Sequence, residues 1–179
     1  MKNERMSHIQ STSRKFRLLF TTLLILIPVS NCLYWLLFNA LPEGFKTELP
    51  VAVNQNMPLS TLGLAFLASL LPLGAVLFGT LTLKKLFSLY ENAIIFSIDN
   101  VRCFRDLGYA LMVWVLGDFI FTALISIVLT WGNPAGQREI VFQFNSTDIS
   151  ALIAGAILIV IARIMNEARV LEDEQAYIV

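Results

Sequence analysis

Residues 59–83 read LSTLGLAFLASLLPLGAVLFGTLTL, a run of 25 residues without a charged side chain. A helix rises about 1.5 Å per residue, so such a run exceeds the roughly 30 Å thickness of the hydrocarbon core of a bilayer. Three further runs are similar: 18–38 is uncharged, 107–131 contains the single acid Asp118, and 149–165 is the shortest. The four runs predict four transmembrane helices.

The amino-acid composition agrees with lipid as the solvent of the protein. Of the 179 residues, 56% are hydrophobic and 15% are charged, and the mean hydropathy is +0.70. A soluble domain has roughly one quarter charged residues. The formal net charge of zero argues against direct nucleic-acid binding, because neutralising phosphates requires a basic excess. We therefore predict an all-α integral membrane protein, in which residues 1–179 form one four-helix transmembrane bundle.

The distribution of basic residues predicts how the spans are oriented. Cytoplasmic segments of membrane proteins carry an excess of Lys and Arg close to the membrane. In the first and third connections between spans, the only basic residues are Lys46 and Arg138. The segment before the first span, the central connection and the end of the chain carry Lys2, Arg5, Arg14, Lys15, Arg17, Lys84, Lys85, Arg102, Arg105, Arg163 and Arg169. We therefore expect both termini in the cytoplasm, with residues 166–179 as a cytoplasmic tail.

The central connection has the sequence pattern of a capped helical hairpin. Ser97 is a small hydroxyl residue with Asp99 in the following turn, a pattern typical of a helix N-cap. The helix that begins there carries Arg102 and Arg105 towards the third span. Two interpretations stay open: a hairpin that only rests at the membrane surface, and a docking surface for a protein partner.

The end of the chain is acidic. Glu172, Asp173 and Glu174 follow one another in the predicted tail. Anionic lipid attracts basic segments at the cytoplasmic surface and repels acidic ones. The tail is therefore expected either to be solvated or to pair with a partner that has a basic surface.

Asp118 lies near the middle of the third run, where an ionised carboxylate costs roughly 2.5 to 3.5 kcal/mol on insertion scales. Thr122 and Ser126 follow at four-residue steps, and Ser69 and Asn31 lie at similar depth in the second and first runs. Two interpretations compete. A neutral Asp118 hydrogen-bonded to Ser69 or Asn31 would hold helices together, whereas a titrating Asp118 would relay protons or cations. No second carboxylate lies inside a predicted span.

The sequence contains no apparent catalytic set. His8 is the only histidine, and Cys32 and Cys103 fall on segments that cannot meet across a membrane, so we expect two free thiols. No phosphate loop and no cysteine–histidine ligand spacing are present. We therefore predict no enzyme activity, no metal site and no cofactor.

Short motifs in the second half of the chain are similar to a family of bacterial membrane proteins called domain of unknown function 2975. The motifs are Leu86-Phe87-x-Leu89-Tyr90, Ile95-Phe96-Ser97, Asn100-Val101, Leu107-Gly108-Tyr109 and the closing run ARVLEDEQ at 168–175. The chain departs from the family pattern at Ala93, where a glycine is usual, and in its last three residues. The resemblance implies a bacterial inner-membrane protein without an established activity, often encoded beside a small helix-turn-helix regulator.

Three functional hypotheses are compatible with the sequence. The leading one is a non-enzymatic inner-membrane regulator, whose central connection and acidic tail dock a small cytoplasmic protein, in particular a DNA-binding one. The second is a small transporter or immunity-type membrane protein that works through Asp118. The third is a structural subunit of a membrane complex. Self-association into a homo-oligomer is compatible with each of them.

Overall fold

The structure is a computed structural model that describes residues 2–46, 49–51, 53, 56–95, 97–134 and 136–176, but not the side chains of residues 2–8, 43 and 172–176. Within these residues the chain forms four α-helices: α1 (Lys2–Leu36), α2 (Leu59–Glu91), α3 (Ile98–Thr130) and α4 (Ser146–Ala176). Two short 3₁₀ turns, Phe38–Ala40 and Glu43–Phe45, follow α1.

Each helix contains one of the four predicted runs, apart from the last one or two residues of the first and third, and extends beyond it. All four helices are long and apolar enough to cross a membrane, which confirms the all-helical class. The polar residues 2–17 belong to α1 as well, because this segment contains no glycine or proline that would break the helix.

The four helices pack in chain order. α1 packs against α2, α2 against α3 and α3 against α4, and within the described residues no other pair of helices makes an extensive contact. The predicted bundle is therefore open between α1 and α4, which a closed bundle would bring together. We call the end where α2 finishes and α3 begins the hairpin end. The opposite end, with the two longer connections, is the loop end.

An aromatic core joins α1, α2 and α3 at the loop end. The rings of Trp35 and Phe38 stack with 5.5 Å between their centroids and pack with Ala65 of α2 and Ile125 of α3. The amino group of Lys46 lies 5.3 Å from the centroid of the Phe38 ring. Burying large aromatic side chains dominates the energetics of such clusters. Among the described residues, this core includes none from α4.

Two close contacts at glycines set the register of α3 with its neighbours. A methyl group on Gly117 would lie 3.3 Å from the Cα atom of Pro72 in α2, and one on Gly108 would lie 2.7 Å from the carbonyl oxygen of Gly155 in α4. The second contact places the first residue of α4 level with about residues 117–120 of α3. At about 1.5 Å per residue, α4 begins roughly 15 Å short of the end of α3. The fourth run is thus displaced towards the hairpin end.

Residues 137–145 cover the part of α3 that α4 leaves free, without regular secondary structure. The backbone N–H of Val141 donates to the hydroxyl of Ser126 (3.0 Å), and that of Glu139 donates to the hydroxyl of Thr130 (3.2 Å). Non-helical backbone at membrane depth is tolerated only where protein groups or water satisfy its polar atoms. The hydroxyls of α3 therefore permit this extended segment to lie beside the helix.

Candidate functional site

Ser69 is the centre of a hydrogen-bonded cluster between α1 and α2. Its hydroxyl oxygen accepts hydrogen bonds from Nδ2 of Asn31 (3.0 Å) and Nε1 of Trp35 (3.1 Å), and the hydroxyl donates to the carbonyl oxygen of Phe66 (2.7 Å). A serine hydroxyl offers one donor and two acceptor positions, so these bonds saturate it. The structure thus joins Ser69 to Asn31, and neither of them forms the hydrogen bond to Asp118 that the first of the two interpretations requires.

Towards the loop end, the polar side chains on α3 form hydrogen bonds with neighbouring backbone groups. Ser126 is fully buried; its hydroxyl donates to the carbonyl oxygen of Ala123 (2.8 Å) while it accepts from Val141. Thr122, one turn closer to the middle of the helix, is also buried. Ser126 therefore holds the extended segment 137–145 against α3, a structural role that the four-residue spacing did not reveal.

Asp118 lies at the end of this row of polar side chains and forms no hydrogen bond or ion pair within the described residues. It is half-buried, and in the register set by Gly108 and Gly155 it lies within about one helical turn of the level of Asp148. Asp148 is only 4% exposed. Asp148 precedes the predicted fourth span, and it comes close to the level of Asp118 because α4 begins midway along α3.

Asp148 also caps α4. One of its carboxylate oxygens accepts a hydrogen bond from the backbone N–H of Asn145 (2.7 Å), just before the helix begins at Ser146. An acceptor side chain three residues after an N-cap residue is the arrangement of a capping box. The pair Asn145 and Asp148 was thus a sequence signal for a helix that begins three residues before the predicted Ile149.

The hairpin between α2 and α3 is fixed by side-chain hydrogen bonds. Ser97 has extended backbone angles, and its hydroxyl accepts the backbone N–H of Asn100 (3.3 Å), which confirms the predicted N-cap. Asn100 is fully buried, and its Nδ2 donates to the carbonyl oxygens of Ile94 (2.9 Å) and Ile95. These bonds tie the start of α3 to the turn that precedes it, so the hairpin presents a defined surface.

The turn after α2 contains a residue in the left-handed region. Ala93 has a φ of 61°. The backbone N–H of Ile94 donates to the carbonyl oxygen of Leu89 (2.9 Å), and that of Ala93 donates to the carbonyl oxygen of Tyr90 (3.0 Å). This is the Schellman arrangement, in which the residue after the C-cap is usually glycine. A glycine at this position, which the resemblance implies, would meet the requirement without steric cost.

Replacing Ala93 with glycine is expected to raise the free energy of unfolding by about 1 kcal/mol, because glycine adopts positive φ without the steric cost of a Cβ atom. Thermal unfolding of the purified protein in detergent measures the change. A suitable control is Ala154→Gly, at an exposed position inside α4, which is expected to lower stability by roughly 1 kcal/mol. A variant at Ala93 no more stable than the parent would contradict this account of the turn.

The basic residues of the hairpin are exposed but locally paired. Oδ1 of Asp99 lies 3.8 Å from Nη1 of Arg102 and 3.5 Å from Nζ of Lys85. Nε of Arg105 lies 3.4 Å from Oδ1 of Asp106. Exposed ion pairs of this kind contribute roughly 0 to 1 kcal/mol, and they can be exchanged for a better partner. The surface around Arg102 and Arg105 is therefore of mixed charge rather than a bare basic patch.

An ion pair between α1 and α2 at the hairpin end was not predicted. Nε of Arg17 lies 2.8 Å from a carboxylate oxygen of Glu91, and both side chains are partly buried. Beside it, the rings of Phe16 and Phe87 stack with 4.9 Å between their centroids. The sequence had marked Arg17 only as part of a basic segment, since spacing along the chain does not show which residue of another helix faces it.

The acidic side chains of the tail, Glu172, Asp173 and Glu174, lie outside the described side chains. The backbone that carries them is helical, because α4 continues to Ala176. In the register set by Gly108 and Gly155, this helix runs roughly 16 Å beyond the first residue of α3. The predicted tail thus begins as a projecting helix.

An apolar groove of about 730 Å³ lies in the hairpin-end half of the open bundle. Its lining includes small residues of α2 and α3, among them Gly79 and Ala110, and the larger side chains of Phe87, Trp114 and Leu158. The described lining contains no charged side chain. The groove therefore has the character of a space for lipid chains rather than of a reactive site.

Within the described residues, no group of three or more His, Cys, Asp and Glu side chains is placed to hold a metal ion. Two features remain as candidate sites: the capped hairpin beside the projecting end of α4, and the two carboxyl groups of Asp118 and Asp148 at similar depth. Four antiparallel helices, each long and apolar enough to cross a bilayer, are the architecture of a multi-pass membrane protein.

Residues 33–179 match the model of a family described as protein of unknown function (DUF2975), and the chain belongs to this family. The match covers most of the chain and confirms the resemblance seen in the sequence motifs. No curated protein and no solved structure matches the chain.

Proposed function

We propose that this is a non-enzymatic regulatory protein of the bacterial inner membrane, whose hairpin end docks a small soluble partner in the cytoplasm. In this proposal the hairpin end lies inside, and both termini of the four-span chain lie in the cytoplasm. The observation that carries the proposal is the shape of that end: a hairpin fixed by the buried Asn100 lies beside a helix, α4, that projects past it. Binding residues are characteristically held on such rigid supports.

The proposed orientation is supported by charges and aromatic residues. The basic residues at the loop end are Lys46 and Arg138. All the other lysines and arginines lie towards the hairpin end, in the tails, in the central connection or near the ends of the helices. Trp131 is exposed at the loop end, where the guanidinium carbon of Arg138 lies 5.4 Å from its ring centroid. Tryptophan is favoured at the membrane–water boundary.

The chemistry of the partner is suggested by the charges at the hairpin end. The projecting part of α4 carries Glu172, Asp173 and Glu174, and the neighbouring hairpin offers Arg102 and Arg105 in exchangeable ion pairs. A small protein with a basic surface would be steered to the acids. A DNA-binding protein of the helix-turn-helix class has such a surface, because it neutralises phosphates. Its capture at the membrane would keep it from DNA.

The proposal is tested by capturing the tagged protein in mild detergent and quantifying what copurifies by mass spectrometry. Changing Glu172, Asp173 and Glu174 to lysine is expected to lower the yield of a small basic partner by about tenfold. The control is Glu139→Lys, an exposed acid at the loop end, which is expected to leave the yield unchanged. Equal yields from the acid-reversed variant and the parent would contradict docking at the tail.

A second candidate, a small transporter or immunity-type protein, is favoured by one observation. A relay of protons or cations through a membrane usually recruits more than one ionisable group, and Asp148 lies near the level of the unpaired Asp118. Asp118→Asn keeps the shape of the side chain and removes its titration. If this variant retained full activity in a transport or protection assay, the relay would be ruled out.

A further inference from the structure

The start of α4 places polar side chains at a depth where hydrocarbon is expected. In the register set by Gly108 and Gly155, Asn145 lies level with about residue 118 of α3. That level is roughly 20 Å from Trp131, the last residue of the third apolar run. Four residues around the start of α4 are nevertheless both polar and exposed: Gln143, Asn145, Ser146 and Thr147. Lipid chains offer these side chains no hydrogen bonds.

The backbone of the extended segment 137–145 adds further polar groups at this depth. The N–H groups of Glu139 and Val141 donate to hydroxyls of α3. The backbone of residues 140 and 142–144 forms no hydrogen bond within the described residues. Hydrocarbon would leave these groups unpaired, which is strongly unfavourable. Apolar side chains of the segment can face lipid, but its backbone needs a cover that forms hydrogen bonds.

Water is the cover that the described contacts favour. Non-helical backbone at membrane depth occurs only where protein buries it or where it lines a water-filled space. Within the described residues, α4 makes extensive contact only with α3, and no backbone hydrogen bond joins the first connection to the extended segment. Because α4 begins about 15 Å short of the end of α3, the space that a full-length helix would occupy lies open beside the segment.

We infer that this space is an aqueous inlet, which opens at the loop end and closes at the first turn of α4. The free backbone groups of residues 140 and 142–144 and the side chains of Gln143 and Asn145 line the inlet. It closes where α4 becomes apolar, since residues 151–162 include no polar side chain. The inlet goes beyond docking at the opposite end of the molecule, and it does not depend on a partner.

The inlet is tested by the rate at which a membrane-impermeant maleimide labels single cysteines. The reagent is added on the side of the membrane from which Gln137→Cys, exposed at the loop end, is labelled. The parent carries Cys32→Ser, and the remaining Cys103 is buried. Gln143→Cys is expected to react within about tenfold of the rate of Gln137→Cys, because water lets its thiol ionise.

The matched control for Gln143 is Leu67, which is exposed on α2. The contact between Pro72 and Gly117 places Leu67 level with about residue 122 of α3, at the depth of Gln143. Leu67→Cys is expected to react at least about tenfold more slowly than Gln143→Cys, because a thiol covered by lipid does not ionise. Thermal unfolding in detergent shows that the compared variants are equally folded.

Two results would overturn the inlet. If Gln143→Cys reacted as slowly as Leu67→Cys, water would not reach the start of α4. If both variants reacted as fast as Gln137→Cys, the whole level would lie outside the hydrocarbon, and no local inlet would exist.

A second pair of positions tests where the inlet closes. Thr147 and Ala154 lie seven residues apart on the same face of α4, and both are exposed. Ala154 lies about 10 Å closer to the hairpin end, in the apolar part of the helix. Thr147→Cys is expected to react at least about tenfold faster than Ala154→Cys. Equal rates at the two positions would contradict an inlet that closes at the first turn of α4.

Discussion

Replacing Asn100 with aspartate is expected to lower the free energy of unfolding by about 2 to 4 kcal/mol. Asn100 is fully buried, and its amide donates to the carbonyl oxygens of Ile94 and Ile95. Aspartate has nearly the same shape but no N–H, so it leaves both carbonyls unsatisfied and sets its own oxygens against them. An unsatisfied buried polar group costs roughly 1 to 3 kcal/mol. Thermal unfolding in detergent measures the loss.

The matched control for Asn100 is Asn92, in the same turn. Its amide donates to the carbonyl oxygen of Ser88 (2.8 Å), but the residue is exposed, so water can replace the lost bond. Asn92→Asp is therefore expected to change the free energy of unfolding by less than about 1 kcal/mol. If the two variants were equally stable, the hairpin would not depend on the buried amide, and the rigid docking surface would lose its structural basis.

Adding a single methyl group at Gly108 is expected to separate α3 from α4. In Gly108→Ala the new Cβ atom would lie 2.7 Å from the carbonyl oxygen of Gly155 and 2.6 Å from a side-chain carbon of Ile159. Because the first of these atoms belongs to the backbone, the helices must move apart. Overpacking of this kind costs roughly 1 to 3 kcal/mol, measured again by thermal unfolding.

Gly74→Ala in α2 is the control for this substitution. A methyl group there would meet no atom within 4 Å. It is expected to stabilise the protein by roughly 0.5 to 1 kcal/mol, because alanine loses less conformational freedom than glycine in a helix. Should Gly108→Ala prove as stable as Gly74→Ala, the close crossing of α3 and α4, and with it the displaced start of α4, would be contradicted.

The helices and the hairpin cap were predictable because their signals are local. Apolar runs of sufficient length show which segments are helical in lipid, and a hydroxyl residue such as Ser97 directly before an acidic first turn identifies a helix start. The left-handed turn at Ala93 is likewise formed by residues that are close to it in the chain. In each case the residues that decide the structure are neighbours in the chain.

The partners of the polar residues were not predictable in the same way. The depth of Ser69 and Asn31 was inferred from their positions in the runs, and the two do meet. Depth does not show direction, however, and Ser69 points to α1 rather than to Asp118. Which face of one helix meets which face of another depends on the packing of all four.

The register of α4 was the largest departure. Treating the four runs as spans side by side places Ile149 at the loop end, whereas α4 begins near the middle of α3. The fourth run is the shortest, and the extended segment 137–145 occupies the remaining depth by bonding to Ser126 and Thr130. A pattern of hydropathy contains no information about such a segment, because its stability comes from hydroxyls on another helix.

The open arrangement of the helices leaves the hairpin independent of α4. Within the described residues α4 makes extensive contact only with α3, so its end is free to project. The hairpin beside it is fixed by Asn100 and does not depend on α4 for its hydrogen bonds. Substitutions in the hairpin and in the end of α4 can therefore be tested separately.

The most direct test of docking is site-specific photo-cross-linking in living cells. A photo-activatable phenylalanine derivative replaces Arg102 on the exposed hairpin and, as a control, Arg138 at the loop end. The account predicts a covalent adduct with a small, soluble, basic protein from the position of Arg102 and none from that of Arg138. If the position of Arg102 gave adducts only with lipid or with membrane proteins, docking of a cytoplasmic partner at the hairpin end would be contradicted.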